Sequence, residues 1–377
     1  MDELINAAAI DLLRESLSTV VPTVATPQLE LTRVMVDDRR LRERVDLVRG
    51  AMLADLPGGF VATEEIIDGL LSQPRFTGWI VWPTTEFVAT RALEEGSERA
   101  FDSAMALLAR LTTRLSSEFA IRNMLLARPE RALTSVLGWT ADENEHVRRL
   151  ASEGTRSHLP WGRRVPWLVD NPDATGPILD ALYRDRSEYV RRSVANHLND
   201  LSRLSPAVAV AHARAWTTDP DENTARVVRH GLRTLVKRAD PAALALVGYS
   251  GDRLRVGPVQ LSTEVVAPEG SITFTARIEN EGDRDAVASI NYTIGFLRAN
   301  GSMSPKTFVL ATRSLAAGEE VTVSKTHSFR RITTRRYYPG RHVLTVEANG
   351  ARSPEVDFVL QTMSETQPPA IARGEGS

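Results

Sequence analysis

The sequence predicts two architectures in series: an α-solenoid of HEAT-like helical repeats, then an immunoglobulin-like β-sandwich. Three observations predict it. Residues 1–250 place apolar side chains at three- and four-residue spacing, the period of an amphipathic helix. Inside that stretch a motif recurs after 43 residues, the kind of period that marks two-helix repeats. After about Gly251 the period drops to two, the alternation of strands with one buried face.

The opening MDELINAAAIDLL reads as a capped amphipathic helix, with acids where a secretion signal needs basic residues. DLVRGAML, FDSAMALLARLTTRL and AVAVAHARAW continue the helical period. The clusters LPGG, QPRFTG, LARPE and NPDATGP punctuate it. The repeat then becomes visible. Trp139-Thr140-Ala141-Asp142 leads into Glu145-His146-Val147-Arg148-Arg149. Forty-three residues later, Tyr183-Arg184-Asp185 leads into Glu188-Tyr189-Val190-Arg191-Arg192. A looser copy runs from Trp216-Thr217-Thr218-Asp219 into Asn223-Thr224-Ala225-Arg226.

Repeats of this kind stack side by side, so matching positions line one surface. Arg149 and Glu153 share a face by i,i+4 spacing, as do Arg192, Asn196 and Asp200, and then Arg229, Arg233 and Lys237. One such stripe alone reads as an ordinary solvated face with weak ion pairs. Three in register read as an acid-bearing centre beside a cationic shelf.

Beyond Gly251, VQLSTEVV, SITFTARIEN, ASINYTIGF, KTFVLAT, EVTVSKT, HVLTVEA and EVDFVL alternate apolar and polar residues between turn signals, the pattern of a seven-stranded sandwich. One loop, Phe329 to Tyr338, carries four Arg, among them Arg331 and Arg335, between aromatic residues. It suits a nucleic-acid backbone or minor groove as well as it suits a charged hairpin that blocks edge pairing. The predicted division is a helical domain over 1–250, a sandwich over 253–362 and a disordered tail over 363–377.

Composition narrows the function. The chain has no cysteine, so thiolate metal sites, disulfides and a Cys nucleophile are excluded. His146, His158, His197, His212 and His230 show no ligand spacing, and no nucleotide-binding or hydrolase-elbow motif occurs; neither metal nor cofactor is expected. No apolar run reaches membrane-spanning length, and a cytoplasmic, nucleoid-associated monomer is the default expectation. Net charge is -2, but the distribution is uneven. Residues 1–100 hold 10 basic and 17 acidic side chains, whereas residues 101–240 hold 21 and 17. A basic middle is the local footprint by which a near-neutral chain binds a polyanion.

SSEFAIRNMLLARPERAL, ENEHVRRLASEGTRSHLPWGRR, SEYVRRSVANHLNDLSR and VVRHGLRTLVKRADPAALALVG, in that order over residues 100–250, resemble the AlkC family of HEAT-like-repeat DNA glycosylases. The sandwich resembles the immunoglobulin-like domain that some members carry. The resemblance implies hydrolysis of the N-glycosidic bond of cationic alkylated bases, such as 3-methyladenine or 3-methylcytosine, in double-stranded DNA. It places the functional positions on Glu118, Glu153, Trp161 and Asp200.

The chemistry suits those residue types. A cationic base is already a good leaving group, so what remains is to stabilise an oxocarbenium-like sugar and to position water, which carboxylates do. A Trp beside the lesion offers a cation–π contact of roughly 0.5–2 kcal/mol to a charged base. Asp200 is the first candidate for the catalytic carboxylate, with Glu153 and Glu118 sharing the task and Trp161 packing on the nucleobase or its sugar. Arg149, Arg156, Arg163, Arg192, Arg229 and Arg233 are expected to hold phosphates.

Each residue also has a plainer reading. Glu118 can serve a helix N-terminus, Glu153 can pair with Arg149, Asp200 can cap the next segment, and Trp161 can be buried packing. The rival functions are a non-catalytic DNA-binding protein and a protein-binding scaffold. Preference among lesions, and whether the base is flipped or reached by bending the duplex, stay open.

Overall fold

The computed structural model describes residues 4–251, 253–331 and 335–361. Ile332 to Thr334 of the arginine loop and the expected tail lie outside them. The chain forms two compact units, Met1–Thr234 and Leu235–Ser377.

The first unit is helical: α1 (Ala7–Val20), α2 (Pro27–Met35), α3 (Leu41–Asp55), α4 (Phe60–Leu71), α5 (Val81–Glu95), α6 (Glu98–Leu111), α7 (Ile121–Ala127), α8 (Pro129–Trp139), α9 (Glu145–Glu153), α10 (Pro166–Asp170), α11 (Gly176–Leu182), α12 (Glu188–Leu204), α13 (Pro206–Thr218) and α14 (Thr224–Gly231). The short α15 (Arg233–Lys237) spans the division, and α16 (Pro241–Leu246) clusters with the strands that follow it.

Helix starts follow local chemistry. Asn6, Ser97, Asn144 and Asp240 cap α1, α6, α9 and α16 by accepting a backbone N–H with their side chains. Proline opens α2, α8, α10, α11, α13 and α16, where its missing N–H costs nothing.

The repeat is real in space. Glu145 and Glu188, one period apart, each begin a helix. α8 packs on α9, α11 on α12 and α13 on α14; α9, α12 and α14 lie side by side. Their apolar faces (Val147 and Leu150, Val190, Val194 and Leu198, Val227 and Val228) are buried, each such side chain contributing about 1.5–3 kcal/mol by leaving water. The approach of α12 and α14 is close enough to need Gly231: a Cβ there would stand 2.5 Å from the Leu198 side chain.

Two expectations from the helical pattern are corrected. Asp200 does not cap the next segment, because α12 continues to Leu204 and the Asp200 side chain accepts from Arg156. The basic stripe Arg229, Arg233, Lys237 is not on one helix, because the helix is interrupted at Leu232 between α14 and α15.

The second unit holds β1 (Leu254–Val256), β2 (Gln260–Leu261), β3 (Val265–Val266), β4 (Ser271–Asn280), β5 (Ala286–Leu297), β6 (Met303–Leu315), β7 (Glu320–Ser328), β8 (Gly340–Ala348), β9 (Ala351–Arg352) and β10 (Val356–Leu360). One sheet has β4 at its centre, paired with β1, β2 and β7; the other runs β3-β10-β8-β5-β6 with β9 on β8. Inward side chains of both, including Phe274, Tyr292, Phe296, Phe329 and Phe358, form a single core. The predicted first strand VQLSTEVV is in fact two. Its first half pairs with β4 and its second runs parallel to β10, so the chain changes sheets between Leu261 and Val265. Strands that switch sheets make the corners of such sandwiches. Among the described residues no helix is long and apolar enough to cross a membrane.

Candidate active site

Three carboxylates expected at the site come from three separate elements. Glu118 lies in the turn before α7, Glu153 is the last residue of α9, and Asp200 sits in the last part of α12. The structure joins them through two arginines. Arg149 Nη1 donates to Glu118 Oε2 at 2.6 Å, and its Nη2 lies 3.7 Å from Glu153 Oε2. Arg156 Nη1 donates to Glu153 Oε1 at 2.5 Å, and its Nε donates to Asp200 Oδ2 at 2.7 Å. The result is one alternating row: Glu118, Arg149, Glu153, Arg156, Asp200.

The row is buried. Asp200 is 4 % exposed and Glu153 7 %. Arg149 and Arg156, expected on an open phosphate-holding shelf, are instead enclosed between the acids. Alternation has a physical reason. Adjacent buried carboxylates repel, and one of them would take up a proton. Burial by itself raises the Glu153 carboxyl, but Arg149 and Arg156 outweigh it, helped by the Ser193 hydroxyl that donates to Oε2 at 2.6 Å; the carboxyl ends below its ordinary value. Burial likewise disfavours charge on Arg156, and Asp200 and Glu153 reverse this, so its guanidinium is held charged.

Asp200 Oδ2 is taken by Arg156, while Oδ1 has no hydrogen-bond donor among the described residues. Asp200 also borders a cavity of about 220 Å³ walled by Ser157, His158, Arg164, Val169 and Arg203. Behind the row, the fully buried His197 donates from Nδ1 to the Ser152 carbonyl and accepts at Nε2 from the Thr175 hydroxyl. Burial, then the Arg156 charge, drives its pKa down to about 3, which keeps it neutral.

Trp161 stands apart from ordinary packing. It is 70 % exposed and its backbone adopts φ of 62°. A bulky residue in the left-handed region is strained, and such strain persists where surroundings enforce it, most often at functional sites. The burial reading of this Trp is therefore excluded. Arg163, just beyond, is exposed and donates to Asn123 Oδ1 at 2.7 Å.

The cationic shelf forms from what remains. Arg192 and Arg229 are exposed on α12 and α14. Arg233 donates to Asn196 Oδ1 at 3.2 Å, linking α15 to α12. Arg191, Arg192, Arg226 and His230 line a cavity of about 160 Å³ between α12 and α14, together with Glu188, which accepts from Arg226 Nη2 at 2.6 Å. Partial burial, and after it the neighbouring Arg233, Arg226 and Arg192, hold His230 below its usual value. In the sandwich unit, Arg331 pairs with Glu269 at 3.1 Å, and Arg335 lies over the Phe296 ring at 4.2 Å. No group of acids and histidines fit to hold a metal occurs among the described residues.

Known proteins resemble the chain over most of its length. Residues 255–362 match the family described as "Uncharacterised protein YhaZ, C-terminal Ig-like domain". YhaZ of Bacillus subtilis is 35 % identical over 322 residues, 84 % of this chain and 87 % of that protein. The alkylpurine DNA glycosylase AlkC of Pseudomonas fluorescens, solved bound to DNA containing an abasic site analogue, superposes with a TM-score of 0.80 at 30 % identity. The match covers 96 % of this chain and 99 % of that one.

The chain belongs to the AlkC family.

Within this AlkC-family frame, sequence reasoning missed three participants. Arg122, fully buried in α7, takes up backbone carbonyls beneath the Trp161 segment. Ser193 reaches Glu153, and His197 braces α9 against α12. The available signal was spacing: Arg122 follows Glu118 by four residues, and His197 follows Ser193 by four.

Proposed function

We propose that this chain is a DNA glycosylase that hydrolyses the N-glycosidic bond of cationic alkylated bases, 3-methyladenine and 3-methylcytosine among them, in double-stranded DNA. The observation that carries this reading is the alternating row of three acids and two arginines, with an exposed, strained Trp161 on the segment that follows Arg156. The likeness to AlkC of Pseudomonas fluorescens supports it.

In the proposed mechanism the bond between the sugar carbon and the base nitrogen breaks first. Its electron pair leaves with the base, which departs neutral because it arrived as a cation. Positive charge then sits on the sugar. Asp200, through Oδ1, stabilises that charge and orients water; the water oxygen bonds to the sugar carbon and its proton passes to carboxylate. Glu153 and Glu118 add negative potential from the same side. Arg149 and Arg156 hold the acids in place and keep Glu153 ionised, so little reorganisation accompanies charge development. Trp161 offers its ring face to the lesion, an attraction stronger for a charged base than for a neutral one. Arg192, Arg229 and Arg233, with the cavity around His230, hold backbone phosphates. Arg163 and the Arg331 and Arg335 loop add further phosphate contacts. The helical unit carries the chemistry, the chain acts as a monomer, and no cofactor takes part.

The test is release of methylated bases and formation of alkali-labile abasic sites on methylated duplex DNA. Asp200→Asn is expected to lose about 100- to 1,000-fold in single-turnover rate while binding an abasic-analogue duplex as tightly as the parent. Release by the parent protein no faster than spontaneous loss, or full activity in Asp200→Asn, overturns the reading.

A further inference from the structure

The segment that presents Trp161 leaves α9 at Gly154 and enters α10 at Pro166. An exposed aromatic residue in strained backbone has to be held from outside. Tracing the backbone carbonyls of this segment shows what holds it. Arg122 Nη1 donates to the Gly154 carbonyl at 3.1 Å and to the Arg156 carbonyl at 2.6 Å, and its Nε donates to the Arg163 carbonyl at 2.8 Å. One guanidinium thus ties the beginning of the segment to its end, with Trp161 in the span between.

The arrangement is costly. Arg122 is 0 % exposed, and no carboxylate lies within ion-pair distance of it among the described residues. Burial, and then the nearby Arg156 charge, lower its pKa to about 10. A buried cation without a counter-ion is kept only where its hydrogen bonds do something a neutral residue cannot.

The next residue makes a second grip. Asn123 accepts from Arg163 Nη1 at 2.7 Å and donates to Glu86 Oε2 at 2.7 Å. Glu86, on α5 and 1 % exposed, is fixed in turn by Arg42 Nη1 at 2.9 Å. Two consecutive residues of α7 therefore hold the far end of the segment, one by its carbonyl and one by its side chain. Glu118 stands one helical turn before Arg122, so the same piece of chain carries both the first acid of the row and the clamp.

We propose that Arg122, with the Asn123–Glu86 link, is a positioning device that fixes the Trp161 ring relative to the carboxylate row without touching DNA. This rests on the reading of Trp161 as the lesion contact. A preformed platform is worth having because misplacing a reacting group by about 1 Å costs on the order of 100-fold in rate.

The experiment uses the full chain labelled with fluorotryptophan, the Trp161 resonance being assigned by its loss in Trp161→Phe. Asn123→Ala removes one grip at a partly exposed position and leaves the buried Arg122 in place; Arg122→Lys keeps the charge and loses the fork. In the parent protein the Trp161 resonance is expected as one narrow line, and in both variants as a broadened or divided one. Single-turnover release of 3-methyladenine should fall about 10- to 100-fold in Asn123→Ala, with affinity for an abasic-analogue duplex within about twofold of the parent.

The deciding measurement is a cycle with Trp161→Ala. If the clamp acts through Trp161, adding Asn123→Ala to Trp161→Ala brings no further loss; losses that multiply overturn the proposal. An unchanged Trp161 line in Asn123→Ala overturns it as well. A parent protein that releases no base refutes the glycosylase reading alone, since the resonance still reports whether the clamp exists.

Discussion

Replacing Arg156 with Met isolates the role of the alternating row. Arg156 is nearly buried and bonds Glu153 Oε1 at 2.5 Å and Asp200 Oδ2 at 2.7 Å, so its loss leaves two enclosed carboxylates facing each other without a cation between them. Breaking a buried pair in this way costs about 3–5 kcal/mol. The pH dependence carries a second signature. In the parent protein Glu153 is held below its ordinary value of 4.5. Its contribution is therefore present above that value and lost as pH falls through the folded pKa. In Arg156→Met part of what holds Glu153 down is lost while Arg149 and Ser193 remain, so its carboxyl moves up relative to the parent and the variant loses less of this contribution as pH falls. Arg156 is also among the groups holding His197 down, so its removal lets His197 protonate more easily and shifts the balance the same way. The gap between the two proteins should be widest near neutral pH and narrow toward about pH 5. Urea unfolding followed by tryptophan fluorescence reads this cleanly, because all six Trp lie at or before Trp216, within the helical unit. A gap below about 1 kcal/mol, the scale of an exposed pair, or a gap that does not change with pH, refutes the argument.

Two further outcomes follow from the same geometry. His197 is neutral in the fold, with its pKa moved from 6.5 to about 3; its contribution is complete above 6.5 and lost as pH falls toward 3, by up to about 1.4 kcal/mol per pH unit. His197→Gln should flatten that slope in the same urea measurement, and an unchanged slope discards the assignment. Trp161→Gly should leave the helical unit as stable as the parent or up to about 1 kcal/mol more so, because glycine accepts positive φ and little apolar surface is lost at an exposed position. In the same variant the preference for charged over neutral lesions should fall about 2- to 30-fold, the worth of a cation–π contact; retained selectivity in competition assays rejects the role of the ring.

Why some of this was legible in the sequence and some was not has physical causes. Helix starts at Glu145 and Glu188 were visible because the repeat keeps cap, acid and paired arginines at a constant interval. Strands β4, β5, β7 and β8 were visible because one face of each is buried, which forces alternation. The switch of sheets between β2 and β3 was hidden, since a run of alternating residues looks the same whether it pairs on one side or two. Stripes of i,i+4 charge located Glu153 and Asp200, but spacing along one helix carries nothing about the neighbour. That Arg149 and Arg156 turn inward to the acids, rather than outward to a polyanion, is decided between helices. Arg122 left only its four-residue spacing from Glu118, because its partners are carbonyls, which every residue has.

A stack of repeats is close to one-dimensional, each unit touching its neighbours alone, and small changes of tilt at every joint add up along it. Arg149 reaches from α9 to the turn before α7, and Arg156 reaches from just past α9 to α12. They behave as spacer bars of fixed length at two successive joints. The two joints that carry the acids are therefore each tied by a charged cross-link, which resists a change of tilt there.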